Sequence, residues 1–434
     1  MAKEPRPIHV GIVAPPFPSH YRALQALAAE LIERGHRVTF IDRADAARWL
    51  DDSRIGFHTL GHVSHPSGSL SRLLRLAASP GSPWGLLRLI RELAANTDML
   101  CRELPEALGT LGIDLLLCDQ MEAAGGLVAE AAGLPYVSVA CALPVNREPG
   151  IPLPVMPMAF GQGSRYIKMY ASSERVYDVL MSPLRRAIAV NAETFGLPPR
   201  DGLHECLSPY AQISQTVPGF ELPRRALPAH FHHVGPLRPP AMNQGALALP
   251  AAEGRPLVFA SLGTLQGHRY RLFRRIARAC RHLDVQLLLA HCGGLSAHQA
   301  LALEREGASW VTDFAPQRAA LERADAVITH GGLNTVMDAL STRTPMLVLP
   351  IAFDQPGVAA RIEHAGVGLR ASPTFAGTRS LAGELHELLH DGRFTAPLER
   401  LGAQVDAAGG VPAAADIVEN TFAGAVPAGR MDCA

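Results

Sequence analysis

The sequence predicts an α/β protein made of two units, each with a parallel sheet, that face each other across a cleft. Apolar, β-rich runs alternate with helical patterns twice over, as in parallel sheets joined by crossover helices. Between the two series, residues 238–256 are rich in Pro, Ala and Gly without an amphipathic period, which indicates a linker. The length of 434 residues also exceeds what one hydrophobic core usually serves.

The first unit begins with a strand over residues 8–14. The helix after it carries Leu24, Leu27 and Leu31 on one face, and Gly35 ends it. The remaining segments predicted for this unit are strands over 37–42, 113–119 and 135–141 and a helix over 122–132. We expect these strands to lie in one sheet.

The second unit repeats the alternation. Its predicted strands are 257–261, 285–290, 326–330 and 345–350, and its predicted helices are 269–282 and 334–342. The predicted domains are therefore 1–237 and 257–434 on either side of the linker, with the last helix free to pack back on the first domain.

Composition argues against several classes of partner. Lys plus Arg equals Asp plus Glu at 40 each, so no global field attracts nucleic acid. No window offers the roughly 20 apolar residues of a membrane span, and prolines break the first apolar run too early for a signal peptide. We expect a cytoplasmic protein, in which no basic amphipathic anchor stands out.

The cysteines carry neither a C-x-x-C pair nor a metal-like spacing, so reduced thiols are expected. They are Cys101, Cys118, Cys141, Cys206, Cys280, Cys292 and Cys433. A dinucleotide fingerprint is also missing after the first strand, and there is no P-loop and no D-x-D pair. The missing fingerprint argues against a nicotinamide or flavin enzyme. Without a D-x-D pair, no residues are predicted to hold a metal ion on a diphosphate.

The segment ITHGGLNT at 328–335 places two glycines where a predicted strand ends and a helix begins. A helix start presents unpaired N–H groups and a positive dipole end, which together form an anion site. Gly331 and Gly332 would let a ligand approach the backbone, and His330 could donate to it. Such a turn can equally be structural, with Asn334 and the next residue only capping the helix.

Several motifs together resemble, in order and spacing, the nucleotide-sugar signature of the UDP-glycosyltransferases. The motifs are GHRVTF at 35–40, SLGT at 261–264, FAPQ at 314–317, THGGLNT at 329–335, Asp338, and FDQ at 353–355. The resemblance implies a GT-B fold, in which two Rossmann-like domains with parallel sheets face across a cleft. It also implies that the C-terminal domain holds most of the UDP-sugar.

Donor contacts follow from the resemblance position by position. It implies that Phe314 and Gln317 contact uracil, that Asp338 binds the ribose hydroxyls, and that Asp354 and Gln355 bind the hydroxyls of the transferred sugar. The residues implied at the diphosphate are Thr264, His330, Gly331, Gly332, Asn334 and Thr335. Phe314 and Leu333 stand where many members have Trp, although a phenyl ring can still stack on uracil.

The general base is sought in the loop after the first strand. His20 lies there, at the carboxyl end of the predicted sheet, where open α/β sheets place their ligands. A histidine at this position can take a proton near neutral pH, although a role at the helix start alone is the alternative. Family members carry their catalytic histidine in this loop, and Asp119 matches the aspartate that holds it.

The resemblance implies an inverting transfer without a metal or other cofactor. His20 would deprotonate an acceptor hydroxyl, which attacks the anomeric carbon opposite the leaving diphosphate and converts an α-linked donor into a β-linked product. Asp119 would fix the tautomer and stabilise the imidazolium. The helix start and His330 would stabilise the leaving UDP.

An apolar, proline-rich segment at 142–161 suggests the acceptor side. Pro144, Met156, Met158 and Phe160 could form the wall for an extended apolar substrate, because methionine and aromatic side chains adapt to such ligands. A packed crossover loop is the other interpretation of this segment.

Longer stretches between 14 and 361 are similar to the bacterial carotenoid glucosyltransferases within the family. The implied reaction transfers glucose from UDP-glucose to the two ring hydroxyls of zeaxanthin, giving the mono- and then the diglucoside. A lipid-dissolved acceptor further implies peripheral contact with the inner face of the membrane. Alternatives are a sterol, polyketide or macrolide acceptor, a nucleotide-sugar epimerase of the same fold, and a non-catalytic sugar-nucleotide binding protein.

Overall fold

The computed structural model describes residues 6–239 and 254–425. Most of the linker predicted at 238–256 lies outside the described residues, as does Cys433. Within the described ranges, no helix is both long and apolar enough to cross a bilayer.

The first domain contains one seven-stranded parallel sheet. Its strands are β1 (His9–Val13), β2 (Arg37–Arg43), β3 (Gly56–Leu60), β4 (Leu115–Asp119), β5 (Tyr136–Ala140), β6 (Ala211–Ser214) and β7 (Phe231–His233). They are ordered β3-β2-β1-β4-β5-β6-β7. All five residues of β1, β4 and β5 are buried, as expected for central strands covered on both faces.

Helices cover both faces of this sheet. They are α1 (Pro18–Glu33), α2 (Ser69–Ala78), α3 (Pro83–Leu111), α4 (Ala123–Ala131), α5 (Ser164–Leu180) and α6 (Ser182–Thr194). The long α3 has clear end signals, because the Ser82 hydroxyl accepts from Gly85 N at 3.1 Å and Gly112 ends the helix with φ of +64°. No helix is predicted from the sequence over the range of α3.

The second domain repeats the plan with a six-stranded parallel sheet. Its strands are β8 (Leu257–Ser261), β9 (Gln286–Ala290), β10 (Trp310–Thr312), β11 (Ala326–Thr329), β12 (Met346–Val348) and β13 (Gly368–Arg370). They are ordered β10-β9-β8-β11-β12-β13. The two sheets confirm the predicted fold class of paired α/β units with parallel strands.

The helices of this half complete the chain. They are α7 (Gly263–Gln266), α8 (Tyr270–His282), α9 (Ala297–Glu306), α10 (Gln317–Arg323), α11 (Leu333–Ser341), α12 (Gln355–Ala365), α13 (Thr378–His390), α14 (Thr395–Ala407) and α15 (Gly410–Ala425). Each strand and helix predicted from the sequence has a counterpart among the elements of the two domains. The strands absent from the prediction include three-residue ones such as β7, β10 and β13, which are too short to show a period.

The last helix, α15, packs on the first domain. Its apolar face, Val411, Ala414, Ala415 and Val418, belongs to the buried core that includes β1 and α1. At the rim of this contact, Arg34 donates to Glu419 at 3.0 Å. The helix therefore fastens the end of the chain to the opposite domain.

The two sheets each open a crevice at their carboxyl ends. In the first sheet, β1 pairs with β2 on one side and β4 on the other, so chain order reverses at β1. In the second, β8 pairs with β9 and β11 in the same way. Loops that follow strands at such reversal points are where open α/β sheets bind ligands.

Candidate active site

A cavity of about 320 Å³ lies between the two domains. Two hydrogen bonds join the domains beside this cavity. Asn334 Nδ2 donates to Ser19 O at 3.2 Å, and Leu143 N donates to Asp354 Oδ2 at 3.0 Å. The lining of the cavity comes from the loops after β1, β5, β8 and β11 and from helices α3, α5 and α6. The volume falls in the usual range for small-molecule sites.

His20 and Asp119 are hydrogen-bonded at the cavity. His20 Nδ1 lies 2.7 Å from Asp119 Oδ2, and the Asp119 side chain is fully buried. Its other oxygen accepts from Met121 N at 2.9 Å. An ionised carboxylate only accepts hydrogen bonds, so Nδ1 carries the proton and Nε2 holds a lone pair able to take another.

Opposing influences act on the pKa of His20. Burial alone would lower it, but the charge of Asp119, the hydrogen bond to Asp119 and the charge of Asp354 together raise the pKa above its usual value. The pKa of Asp354 is itself raised by burial, against the hydrogen bond from Leu143 N. The imidazole is therefore a stronger base than an exposed histidine.

Cys141 lies beside this pair. Ligand atoms of His20, Asp119 and Cys141 fall within 4.8 Å of one another. Burial, followed by the charge of Asp119, raises the pKa of the Cys141 thiol well above its usual value. The thiol lines the cavity, where its Sγ lies 4.0 Å from the carbonyl oxygen of His20.

His330 follows β11 and precedes α11. Burial lowers the pKa of His330 to about 4, so the ring is neutral at physiological pH. Among the residues that the structure describes, its buried Nδ1 has no hydrogen-bond partner. An unpaired buried polar atom on a cavity wall is costly unless a ligand completes it.

The glycines around His330 make room for its ring. A Cβ on Gly263 would come within 2.6 Å of the imidazole, and one on Gly332 within 2.8 Å. Gly331 has φ of +87°, and a Cβ there would come within 2.8 Å of the Val348 side chain. The glycines therefore also accommodate the protein's own side chains, while Gly332 lines the cavity and the approach of a ligand to this turn stays a prediction.

The other residues assigned to the donor divide into two groups. Those that line the cavity are Thr264, Gln317, His330, Gly332, Asn334, Thr335, Asp354 and Gln355. Phe314, Gly331 and Asp338 are outside this lining, and Phe314 is 65% exposed in the loop after β10. A stack between Phe314 and uracil therefore requires the base to lie at the rim.

Asp338 and Gln317 are already engaged with each other. Gln317 Nε2 donates to Asp338 Oδ2 at 2.6 Å, while Gln317 Oε1 accepts from Thr335 Oγ1 at 3.1 Å. Arg238 Nε also donates to Asp338, at 2.9 Å. Arg238 lies 100 positions away in the chain, at the first residue of the predicted linker, and no motif pointed to it.

The FDQ motif divides its side chains between structure and cavity. Gln355 Oε1 accepts from Ile351 N and Ala352 N at 2.8 Å each. No described residue accepts from its amide NH2, which can therefore donate towards a sugar oxygen. The hydrogen bond from Leu143 N fixes the Asp354 carboxylate near His20. The predicted base and the predicted sugar-binding carboxylate therefore lie close together in the cavity.

The acceptor-side prediction needs a correction. Pro144, Met156, Met158 and Phe160 do not line the cavity. At Pro154 the chain turns to α12, where its carbonyl accepts from Gly357 N at 2.9 Å, and the Phe160 ring then packs 5.1 Å from the ring of His364. The apolar wall consists instead of Leu93, Met121, Leu143, Val145, Leu153, Pro154, Met181, Leu184 and Ile188.

We expect His330→Ala to weaken donor binding by about tenfold or more, since a hydrogen bond to a charged oxygen contributes roughly 1.5–3 kcal/mol. Calorimetric titration with UDP measures this loss. Gly263→Ala provides a matched test, because its Cβ would displace the same ring without removing it. Unchanged UDP affinity in both variants would contradict a phosphate contact through His330.

Comparisons with known proteins agree with this geometry. Residues 306–423 match the family model described as the C-terminal domain of erythromycin biosynthesis protein CIII-like proteins. The chain is 52% identical to the zeaxanthin glucosyltransferase of Pantoea ananas, covering 95% of this chain and 96% of that protein. It is 47% identical to the enzyme of the same name from Pseudescherichia vulneris, covering 96% and 98% of the two chains.

Solved structures identify the fold. A crystal structure of the glycotransferase of kitacinnamycin superposes with a TM-score of 0.76 at 21% identity, over 96% of this chain and 99% of that one. Together with the paired parallel sheets, this likeness confirms the GT-B fold. Given the full-length identity to its relatives, the chain belongs to the zeaxanthin glucosyltransferase family of GT-B glycosyltransferases.

Proposed function

We propose that the protein transfers glucose from UDP-glucose to the ring hydroxyls of zeaxanthin. The observation that carries this proposal is the His20–Asp119 pair, 2.7 Å apart, on a cavity with an apolar wall on one side and the His330 turn on the other. A base between an apolar and an anion-binding region suits an oily alcohol that attacks a sugar diphosphate.

The chemistry follows from the atoms present. The Nε2 lone pair of His20 takes the proton of the acceptor hydroxyl as the oxygen bonds to the anomeric carbon. The bond from that carbon to the diphosphate oxygen breaks at the opposite face, so an α-linked donor gives a β-glucoside. Asp119 stabilises the imidazolium through Nδ1, as the buried carboxylate of a catalytic triad does.

The departing UDP gains negative charge, which the C-terminal domain is placed to stabilise. The start of α11, the neutral imidazole of His330 and the hydroxyls of Thr264 and Thr335 all lie at this end of the cavity. The proposal therefore uses no metal and no other cofactor. Arg22, exposed on α1 at the cavity, adds a positive charge that no sequence motif marks.

The acceptor assignment rests on relatives and on the wall. The relatives at 52% and 47% identity are both named for zeaxanthin, whereas a demethylrebeccamycin synthase is 27% identical and a mycarosyltransferase 32% identical over 48% of this chain. The apolar wall fits a hydrocarbon ring and polyene. These observations favour zeaxanthin over a sterol, polyketide or macrolide.

Zeaxanthin carries a hydroxyl on each terminal ring, so one cavity can serve both ends in succession. The monoglucoside leaves, turns end for end and returns its free ring to His20. Because the substrate dissolves in lipid, we propose that the protein works at the cytoplasmic face of the membrane.

The decisive experiment incubates the purified protein with UDP-glucose and zeaxanthin in detergent. We expect two products in succession by mass spectrometry, the monoglucoside and then the diglucoside, and their β-linkage by NMR. The His20→Ala protein serves as the control for non-enzymatic transfer. No glucoside under these conditions would refute the acceptor, and conversion of UDP-glucose to another UDP-hexose without any alcohol would instead indicate an epimerase.

A further inference from the structure

The outward side of α5 is apolar although it faces solvent. Val176 is 68% exposed and Val179 is 75% exposed. Apolar side chains grouped on one exposed face mark an interaction surface more often than singly scattered ones do. Further exposed apolar side chains of this helix are Tyr166, Ile167, Met169 and Leu180. Of these, Met169 and Leu180 share the outward side with Val176 and Val179, which indicates a face that is covered when the protein works.

The charges on the same helix are segregated by sign. Arg165, Lys168 and Arg175 are exposed, and in the described part of the chain none of them has an ion-pair partner. At about 100° per residue, these three cations and Val176 and Val179 fall on one side of the helix. The outer face of α5 is therefore basic and apolar at once.

The acids of the helix are turned inward. Asp178 Oδ2 accepts from Arg147 NH1 at 3.0 Å, and Glu174 is half-buried. The exposed face consequently presents cations without compensating carboxylates of its own helix. Its charge complements an anionic surface.

The inner side of the same helix borders the cavity. Tyr177 and Asp178 line it, and Met181 continues the lining immediately after the helix ends. One helix diameter, about 10 Å, thus separates the apolar outer face from the acceptor wall. A surface docked against α5 would lie next to the entrance of an oily substrate.

We propose that the outer face of α5 docks on a bilayer rich in anionic phospholipid and brings the cavity to a lipid-dissolved acceptor. Interfacial helices bury an apolar side at the headgroup boundary while Lys and Arg contact lipid phosphates. Long cationic side chains can lay their stems on the apolar region and keep their charges at the phosphates. The purpose of this docking rests on the proposed function, but the docking itself does not.

The test measures co-sedimentation of the full chain with vesicles of phosphatidylcholine, alone or mixed with phosphatidylglycerol. We expect binding to the mixed vesicles that weakens with salt. Arg165→Gln/Lys168→Gln/Arg175→Gln should weaken it roughly 100-fold, since each surface cation contributes about fivefold to binding of an anionic membrane. Val176→Gln/Val179→Gln should weaken it by about tenfold or more.

Matched controls lie on the C-terminal domain. Arg271→Gln/Arg379→Gln/Arg400→Gln removes three exposed cations there, and Leu301→Gln/Phe375→Gln removes two exposed apolar side chains. Both controls should bind vesicles as the parent does. Equal binding by the parent and both α5 variants would overturn the proposal. The proposal would also be overturned if the parent formed a concentration-dependent dimer that the α5 variants, but not the controls, fail to form, because the face would then be an interface between two copies of the chain.

Activity separates this proposal from the function. With zeaxanthin in detergent, the α5 variants should turn over at the parental rate, whereas with zeaxanthin in mixed vesicles they should be slower. Loss of both rates would contradict a role limited to docking. No turnover by any protein, with vesicle binding intact, would refute the proposed reaction and leave the docking surface supported.

Discussion

His20→Ala is expected to lower glucosyl transfer by about 100- to 10,000-fold, the usual contribution of a positioned general base. Asp119 bonds to Nδ1 of His20, so the lone pair on Nε2 is the one available to take a proton at the cavity. Affinity for UDP should stay unchanged, since no UDP contact is assigned to His20 itself. Steady-state kinetics with zeaxanthin and calorimetry with UDP measure the two quantities separately.

The matched control is His282→Ala, an exposed histidine at the end of α8. It should leave both transfer and UDP affinity at parental values. Turnover of His20→Ala near the parental rate would show that another group takes the proton. A parallel fall in UDP affinity would indicate that the substitution disturbs the cleft instead of the chemistry.

The closeness of His20 and Asp119 could be anticipated from the sequence. Each follows a buried apolar run, and the carboxyl ends of parallel strands meet at one edge of a sheet. The structure makes β1 and β4 neighbours and brings the side chains to 2.7 Å. The family resemblance implied this pair, and the parallel topology explains why the two side chains meet.

Other parts of the site could not be anticipated, because tertiary packing places them. Nothing in the sequence links Arg238 to Asp338 or sets Gly263 against the ring of His330. The acceptor wall was assigned to Met156 and Met158 because they are apolar and lie in a loop. Whether a loop faces a cavity or the other domain depends on contacts such as the one between Pro154 and Gly357.

The docking face of α5 was also missed, for a physical reason. Its apolar and basic residues alternate with inward tyrosines and acids, so the segment resembles an ordinary surface helix in sequence. Only the burial of Tyr170 and the pairing of Asp178 with Arg147 show which side faces solvent. Exposure is therefore the observation that distinguishes this helix.

Asp119→Asn tests the electrostatic half of the site and should lower the maximal rate by about 100- to 10,000-fold. The asparagine oxygen can keep the hydrogen bond from Met121 N, which leaves its NH2 pointing at Nδ1 of His20. A donor there favours the tautomer with the proton on Nε2, and that nitrogen can then no longer accept the acceptor's proton.

The pH profile of the same variant distinguishes this role from a loss of folding. Burial lowers the pKa of His20, while the charge and hydrogen bond of Asp119 more than offset it and raise the pKa above its usual value. Since the base must be neutral, parental kcat/KM should rise with pH through a pKa above 6.5. Without the charge of Asp119, burial has less opposition, and the acidic limb should move to lower pH.

Asp51→Asn, at an exposed position, is the control and should move neither the acidic limb nor the plateau. A lower plateau with an unmoved acidic limb would mean that Asp119 supports the fold without tuning the base.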